Sequence, residues 1–415
     1  MDKKKIGYRS LMTQKEYLKM IVANMINRFG DSVDAIAFTW LVYAITGNAA
    51  WSAIIFGLNH IPTIFIQPFA GAIVENMKKK PLMIITDLIR GGIVVSLAVL
   101  YGMDKVTPMV LVIFTLLIST VEAFCVPAGM AFVPQILSEE YYEVGTGLGN
   151  TFSMILELVG TGSAGVIIGV FGVKAAILVD AVTFFLSAVI ILCIRNKETV
   201  LQKQKVEVKA YWKLLKEGIF YIKKQQIIMN FCIMGFLLNA LLTPFNSLLT
   251  PLVVEVLRQD SGFLSIVGIA LSLGMGMGSL CYPMLVKKIK VNQLVYVSGS
   301  MIGIFYLFFP IAGKVKNTYA MAGICTVGAA GLGVAASVLT AVLSVQFIKT
   351  VQQEYLARCG AVFNATGSIA MPIVSMLVSG LVKVLSVGWI LIVCGGLSVL
   401  LFICISIKKM RFAEK

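Results

Sequence analysis

Long apolar runs and short polar breaks alternate along the chain. Twelve apolar stretches stand out, over residues 18–46, 51–74, 82–102, 107–134, 144–170, 172–195, 227–256, 261–286, 292–312, 318–348, 358–383 and 387–408. An α-helix needs roughly 20 apolar residues to cross a bilayer, and each stretch meets that length. The breaks are built from turn residues: Thr46-Gly47-Asn48, Lys80-Pro81, Thr107-Pro108, Phe171-Gly172 and Gly313-Lys314. The runs are about twice as long as a barrel strand and lack sustained polar/apolar alternation, so helices are predicted and a β-barrel is excluded. The expected fold class is an all-α polytopic membrane protein with twelve transmembrane helices.

One long polar segment, 196–226, divides the chain into an N-terminal half, 1–195, and a C-terminal half, 227–415, with six spans each. Inside it, Tyr211-Trp212 and Phe220-Tyr221 lie among lysines, which predicts an amphipathic helix on the inner membrane surface. The halves resemble each other faintly. Glu140-Tyr141 precedes Asn150 after the fourth span with the spacing by which Glu354-Tyr355 precedes Asn364 after the tenth. Gly71 ahead of Lys78-Lys79-Lys80 matches Gly278 ahead of Lys287-Lys288. Two pseudo-symmetric six-helix halves are therefore expected, as in one large class of secondary transporters.

Composition agrees with the pattern. The 415 residues are 58% hydrophobic and 13% charged, against about 45–50% and about 25% in soluble chains, which excludes a soluble domain. Net charge is +15, from 35 Lys+Arg and 20 Asp+Glu. In a soluble chain that balance suggests nucleic acid. With both termini cytoplasmic, however, the outer loops carry only Lys105, Lys174, Arg258, Lys314, Lys316 and Lys383. Apart from Arg28 and Arg90 inside spans, the other basic residues form an inner rim facing anionic lipid. No nucleic-acid partner is expected, and the expected place is a cell membrane of the bacterial plasma-membrane kind. Residues 1–17 are polar and basic, without the short apolar stretch of a removable signal peptide. The eight cysteines fall mostly in apolar runs without C-x-x-C spacing and read as packing residues.

The break after the second span reads Gly71-Ala-Ile-Val-Glu75-Asn-Met-Lys78-Lys79-Lys80. It resembles the G-x-x-x-D-R-x-G-R-K signature of the major facilitator superfamily, with Glu75 as the acid and Lys79-Lys80 as the terminal bases. Asn76 and Lys78 depart from it. More narrowly the chain resembles the twelve-span drug:proton antiporter branch that includes macrolide-efflux proteins. That likeness rests on Arg28-Phe29-Gly30-Asp31, Phe132-Val133-Pro134 and Val179-Asp180-Ala181-Val182-Thr183-Phe184. Gly160-Thr161-Gly162-Ser163-Ala164-Gly165 places Thr161 where antiporters usually have proline. The resemblance implies alternating access around a midplane cavity, export and proton coupling. It implies a gating loop at Gly71, Glu75, Lys79 and Lys80, with Asp87 and Arg90 as further members of its network. Small-molecule cargo, protons and lipid are the expected partners of a monomer. No G-x-x-x-x-G-K-[ST], H-E-x-x-H or catalytic triad occurs, so neither an enzyme nor a cofactor is expected.

A charge at mid-bilayer costs about 2.5–3.5 kcal/mol on insertion scales, which makes intramembrane charges functional candidates. The first span carries Asn24, Asn27, Arg28, Asp31 and Asp34, whose i,i+3 steps set Arg28, Asp31 and Asp34 on one face. Arg28 and Asp31 read as a structural pair. Asp34 lies deeper, with no cation assigned to it, and reads as a proton or substrate group. Glu122 and Glu157 fall mid-span with no Lys or Arg within a helical turn. Desolvation disfavours the charged form of such carboxyls, which suits proton coupling. His60, ahead of Pro62, is a proton or substrate candidate against the plainer reading of a satisfied buried histidine. Asp180 either orders helix packing or takes part in function. Asn239, Thr243-Pro244 and Asn246 mark the seventh span as kinked and cavity-facing. Gly274, Gly276 and Gly278 in the eighth span, and Gly328, Gly331 and Gly333 in the tenth, predict close helix approach. With Arg28 neutralised by Asp31, the cavity would favour a neutral or cationic, partly hydrophobic cargo. The alternatives are an exporter of one metabolite, siderophore or peptide-like, an importer, or a non-transporting receptor or assembly protein.

Overall fold

The computed structural model describes residues 8–75, 77–195, 220–352 and 355–408. Twelve helical spans run through them. The first six are α1 (Lys15–Thr46), α2 in two segments (Ala49–Phe65 and Gln67–Glu75), α3 (Lys79–Gly102), α4 (Pro108–Ile136), α5 (Tyr142–Phe171) and α6 (Val173–Leu192). The second six are α7 (Gln226–Ser247), α8 (Ser261–Lys288), α9 (Val291–Tyr306 and Phe308–Ala312), α10 (Thr318–Thr350), α11 (Leu356–Leu381) and α12 (Val387–Ile407). By length and composition, 10 of these, α3 to α12, can cross a membrane. α1 is long enough at 32 residues but carries the polar face. α2 is interrupted at Ile66, between Pro62 and Pro68, because a proline supplies no N–H to the helical ladder.

The turn chemistry sets the helix ends. Thr107 accepts from the Val110 N–H ahead of a first-turn Pro108, Asp260 accepts from Gly262, and Asn317 accepts from Tyr319 and Ala320. Gly172, at φ 81°, closes α5 and opens α6 with a backbone that a side chain would strain. α7 continues through Leu249–Pro251 into a π-helical turn at Leu252–Val256.

The chain forms two compact units: Met1–Thr46 with Ile61–Val206, and Gly47–His60 with Glu207–Lys415. In the first, α6 packs on α1 and α3, and α1 also packs on α5. One core cluster joins Met20, Val74, Met83, Phe132 and Ile194. In the second, α8 packs on α10, α7 on α11 and α9 on α12. Ser375 of α11 donates to the Ala53 carbonyl, so the opening turns of α2 dock on that helix. The Tyr211-Trp212 part of the expected surface helix lies outside the described residues. Tyr221 is described, and it stacks on Tyr355 at 4.3 Å while Ile222 is buried. The end of the polar segment therefore rests on protein.

Lipid tails are as apolar as leucine, so spans associate through close packing and polar contacts, with little hydrophobic drive. The α8–α10 contact is built that way. Gly274 faces the Ala330 backbone, Gly278 faces Val334 and Ser337, and Gly333 faces the Leu271 carbonyl. Gly331 and Gly328, by contrast, receive the Phe305 and Phe308 side chains.

A Cβ at position 333 meets backbone that cannot yield. Gly333→Ala is expected to destabilise the purified protein by about 1–3 kcal/mol, the ordinary cost of overpacking. Gly323→Ala, with nothing within 4 Å, is expected to leave stability unchanged or slightly raised. Thermal unfolding of both variants in detergent checks the pair.

Candidate functional site

The polar face of α1 opens on a cavity of about 380 Å³ inside the first unit. Asn24, Asn27, Arg28 and Asp31 line it from α1, Arg90 from α3 and Glu122 from α4. All are residues that the helical spacing of α1, or their depth in a span, singles out. The structure brings them to one place.

Behind the cavity, α1, α3 and α6 meet in a knot of polar groups. Arg90 Nη2 lies 2.9 Å from Asp31 Oδ1, and the guanidinium sits 4.1 Å above the Phe184 ring. Asp87, only 1% exposed, accepts at one oxygen from Ser187 Oγ at 2.7 Å and from Asn27 Nδ2 at 3.4 Å. Its other oxygen and Arg90 Nε are buried without a hydrogen-bond partner. Asp180 is buried against Gly30, and its Oδ1 also lacks a partner. Asp34 is half-buried beside Asp31, Arg90 and Asp180, with no hydrogen bond or ion pair among the described residues.

The expected Arg28–Asp31 pair does not form. Arg28 Nη2 instead reaches Glu157 Oε2 on α5 at 2.5 Å. The reason is competition for one carboxylate. The Arg90 side chain is 9% exposed and the Arg28 side chain 47%, so the buried cation has the greater need of a counter-charge. Asp31 goes to Arg90. Glu157, expected to lack a cation, has one from another helix. Glu122 keeps the expected arrangement: it is half-buried, has no hydrogen bond or ion pair among the described residues, and lies within electrostatic reach of Arg90, Asp31 and Arg28.

The loop residues do something different from the cavity residues. Gly71 has open space around it, and the Glu75 side chain lies outside the described residues. Lys79 donates to the Met77 carbonyl at 2.7 Å. Lys80 donates to the Leu192 and Ile194 carbonyls at 2.9 and 2.7 Å, and Lys19 donates to Cys193 at 2.9 Å. Two ammonium groups thus cover the free carbonyls at the C-terminus of α6, where cations are favoured. Glu16 completes the clamp by holding Lys19 at 2.8 Å and accepting from the Arg195 N–H at 2.6 Å. Asp87 and Arg90 are not part of this clamp; they belong to the polar knot.

His60, Asn239 and Asn246 belong to the second unit. His60 is half-buried and meets the Phe56 ring edge-on at 5.0 Å. Asn239 donates to the Gly235 carbonyl at 3.1 Å, and Thr243 donates to the Asn239 carbonyl at 2.7 Å. These back-bonds accompany the kink-prone Pro244. Asn246 is exposed. Sequence reasoning missed Phe184 and Ser187 as partners of Arg90 and Asp87. The signal was the α6 run from Asp180, which sets Asp180, Phe184 and Ser187 on one helical face.

The two ion pairs differ in what their loss should cost. Asp31→Asn leaves a buried guanidinium unneutralised and is expected to destabilise by about 3–5 kcal/mol. Arg28→Gln breaks a pair that is more than a third exposed on both sides and is expected to cost no more than about 1 kcal/mol. Unfolding of the two purified variants under identical detergent conditions measures the difference.

Comparison with known proteins places this geometry. The family model described as Major Facilitator Superfamily matches residues 20–370. An uncharacterized MFS-type transporter, YkuC of Bacillus subtilis (strain 168), is 24% identical over 308 residues, covering 70% of each chain. Macrolide efflux protein A of Enterococcus faecalis is 25% identical over 321 residues, covering 76% of this chain and 96% of that protein. The crystal structure of the nucleoside transporter NupG superposes with a TM-score of 0.76 at 13% identity, covering 95% of this chain and 99% of that one. At that identity the likeness is one of fold. The chain is a multi-pass membrane transporter with no enzymatic role, and it belongs to the Major Facilitator Superfamily.

Proposed function

We propose that this transporter is a proton-coupled exporter of amphipathic small molecules. The observation that carries the reading is Glu122: a carboxyl on a cavity wall with no hydrogen bond or ion pair among the described residues. A carboxyl that gains a proton from one side of the membrane and loses it to the other needs such a place, within reach of a water-filled cavity and free of a permanent counter-ion. Asp34, which does not line the cavity, is a second carboxyl with no hydrogen bond or ion pair among the described residues. Export is supported by the likeness to macrolide efflux protein A, and the inner position of both termini by the bias of Lys and Arg. The halves 1–195 and 227–415, linked by 196–226, alternate access to the cargo, and the chain works as a monomer. The Gly71–Lys80 loop governs the exchange between states by setting the inner end of α6 through Lys80.

A second reading, export of one defined metabolite, is favoured by one observation. The Arg28–Glu157 pair sets opposite charges side by side where Arg28 lines the cavity, which suits polar readout of one cargo better than loose hydrophobic capture.

Inverted vesicles loaded with the protein test the coupling. Labelled amphipathic compounds are expected to accumulate only when a proton gradient is present. Glu122→Gln and Asp34→Asn are expected to abolish that accumulation while the protein still inserts. Wild-type rates in both variants would remove these carboxyls from the coupling path.

A further inference from the structure

We infer that the Arg28–Glu157 pair is an exchangeable anion subsite, and that the cargo is an amphoteric amphiphile whose carboxylate-like group takes Arg28 away from Glu157. This rests on the reading that the α1–α3–α4 cavity receives cargo. The two arginines of the cavity are not equivalent. Arg90 is committed: its side chain is 9% exposed, paired with Asp31 and stacked on Phe184. Arg28 lines the cavity and is held by one carboxylate, the two side chains being 47% and 36% exposed. Ion pairs with that exposure are weak. A guanidinium presents a planar fork that binds a carboxylate through two hydrogen bonds, so an incoming carboxylate can outdo the single Glu157 contact.

The neighbours of Arg28 fit the rest of such a molecule. Asn24 offers an amide group on the same helix face. Glu122, without a partner of its own, faces the cavity from α4 and suits a cationic end. Met20, Val126, Met130 and Val133 supply apolar, adaptable wall. When the cargo binds, its carboxylate replaces that of Glu157 on Arg28, and Glu157 turns to water at the cavity wall. No covalent bond changes. The cargo expected from the sequence, neutral or cationic, followed from assigning Asp31 to Arg28; with Asp31 taken by Arg90, a fixed cation faces the cavity.

Three forms of one hydrophobic dipeptide test this on the purified full-length protein: phenylalanyl-phenylalanine, its C-terminal amide and its N-acetyl derivative. They carry both charges, the cation alone and the anion alone. The free dipeptide is expected to bind most tightly. Arg28→Gln should weaken the free dipeptide and the N-acetyl form at least about tenfold, as loss of a hydrogen-bonded charge partner does, and leave the amide within about twofold. Arg28→Lys should restore part of the loss. Glu157→Gln should tighten the two carboxylate-bearing forms by about two- to fivefold, the worth of an exposed pair; a merely structural Glu157 would not produce a gain. Amide binding equal to that of the free dipeptide, or Glu157→Gln weakening all three forms, overturns the inference. So does the absence of saturable binding by any form. Free-dipeptide and N-acetyl binding that survives Arg28→Gln, with amide binding lost in Glu122→Gln, would defeat the anion subsite alone. Binding indifferent to both variants would defeat the cavity as a cargo site as well.

Discussion

A guanidinium buried among transmembrane helices must be neutralised, and the first unit is arranged around that demand. Arg90 sits on α3 with little exposure, so it needs a carboxylate that stays beside it and a surface that tolerates its flat face. Asp31 of α1 supplies the first and Phe184 of α6 the second. The choice propagates. Asp31 is no longer free for Arg28, Arg28 turns to Glu157 on α5, and Glu122 is left as the carboxyl of the cavity without a fixed partner. One electrostatic requirement thereby sorts three acids into one held by the buried Arg90, one paired with the more exposed Arg28 and one unpaired among the described residues.

The second unit solves the same packing problem by other means. Among the described residues of α7 to α12, no Asp, Glu, Lys or Arg is buried. Small residues do the joining instead, with Gly274, Gly278 and Gly333 between α8 and α10 and Gly303 against Gly395 between α9 and α12. Hydroxyl groups add to it, as where Ser398 donates to the Gly299 carbonyl at 3.0 Å. In a medium where apolar surface gains nothing from leaving lipid, close backbone approach and satisfied polar groups are the available glue.

Much of this was legible in the sequence, for a clear physical reason. Span length, turn residues and the positions of charges within spans are local properties, and the membrane enforces them strictly. The helices and the polar face of α1 follow from them. Partner identity is not local. The i,i+3 rule joins Arg28 to Asp31 because it sees only one helix; the pairing that forms runs between α1 and α5 and between α1 and α3. Glu157 looked free of cations for the same reason. Lys80 matched a family position, but its partners are backbone carbonyls of α6, which no side-chain motif encodes. His60, Asn239 and Asn246 were selected as polar residues in apolar runs, and the first two are occupied with a ring contact and a backbone bond along their own helices.

The lysine clamp at the end of α6 has a mechanical meaning. α6 is fastened to α1 and α3 at two separate levels: by Lys19 and Lys80 at its last carbonyls, and by the groups around Arg90 and Asp87 further in. Along α3, Lys80 and Arg90 are about 15 Å apart at 1.5 Å per residue. Three rods pinned together at two levels cannot splay, slide or twist against one another without breaking charged contacts. They form a strut that moves as one piece. Bending has to be taken up elsewhere, and α2, interrupted at Ile66, is the helix of the first six that is built with a joint.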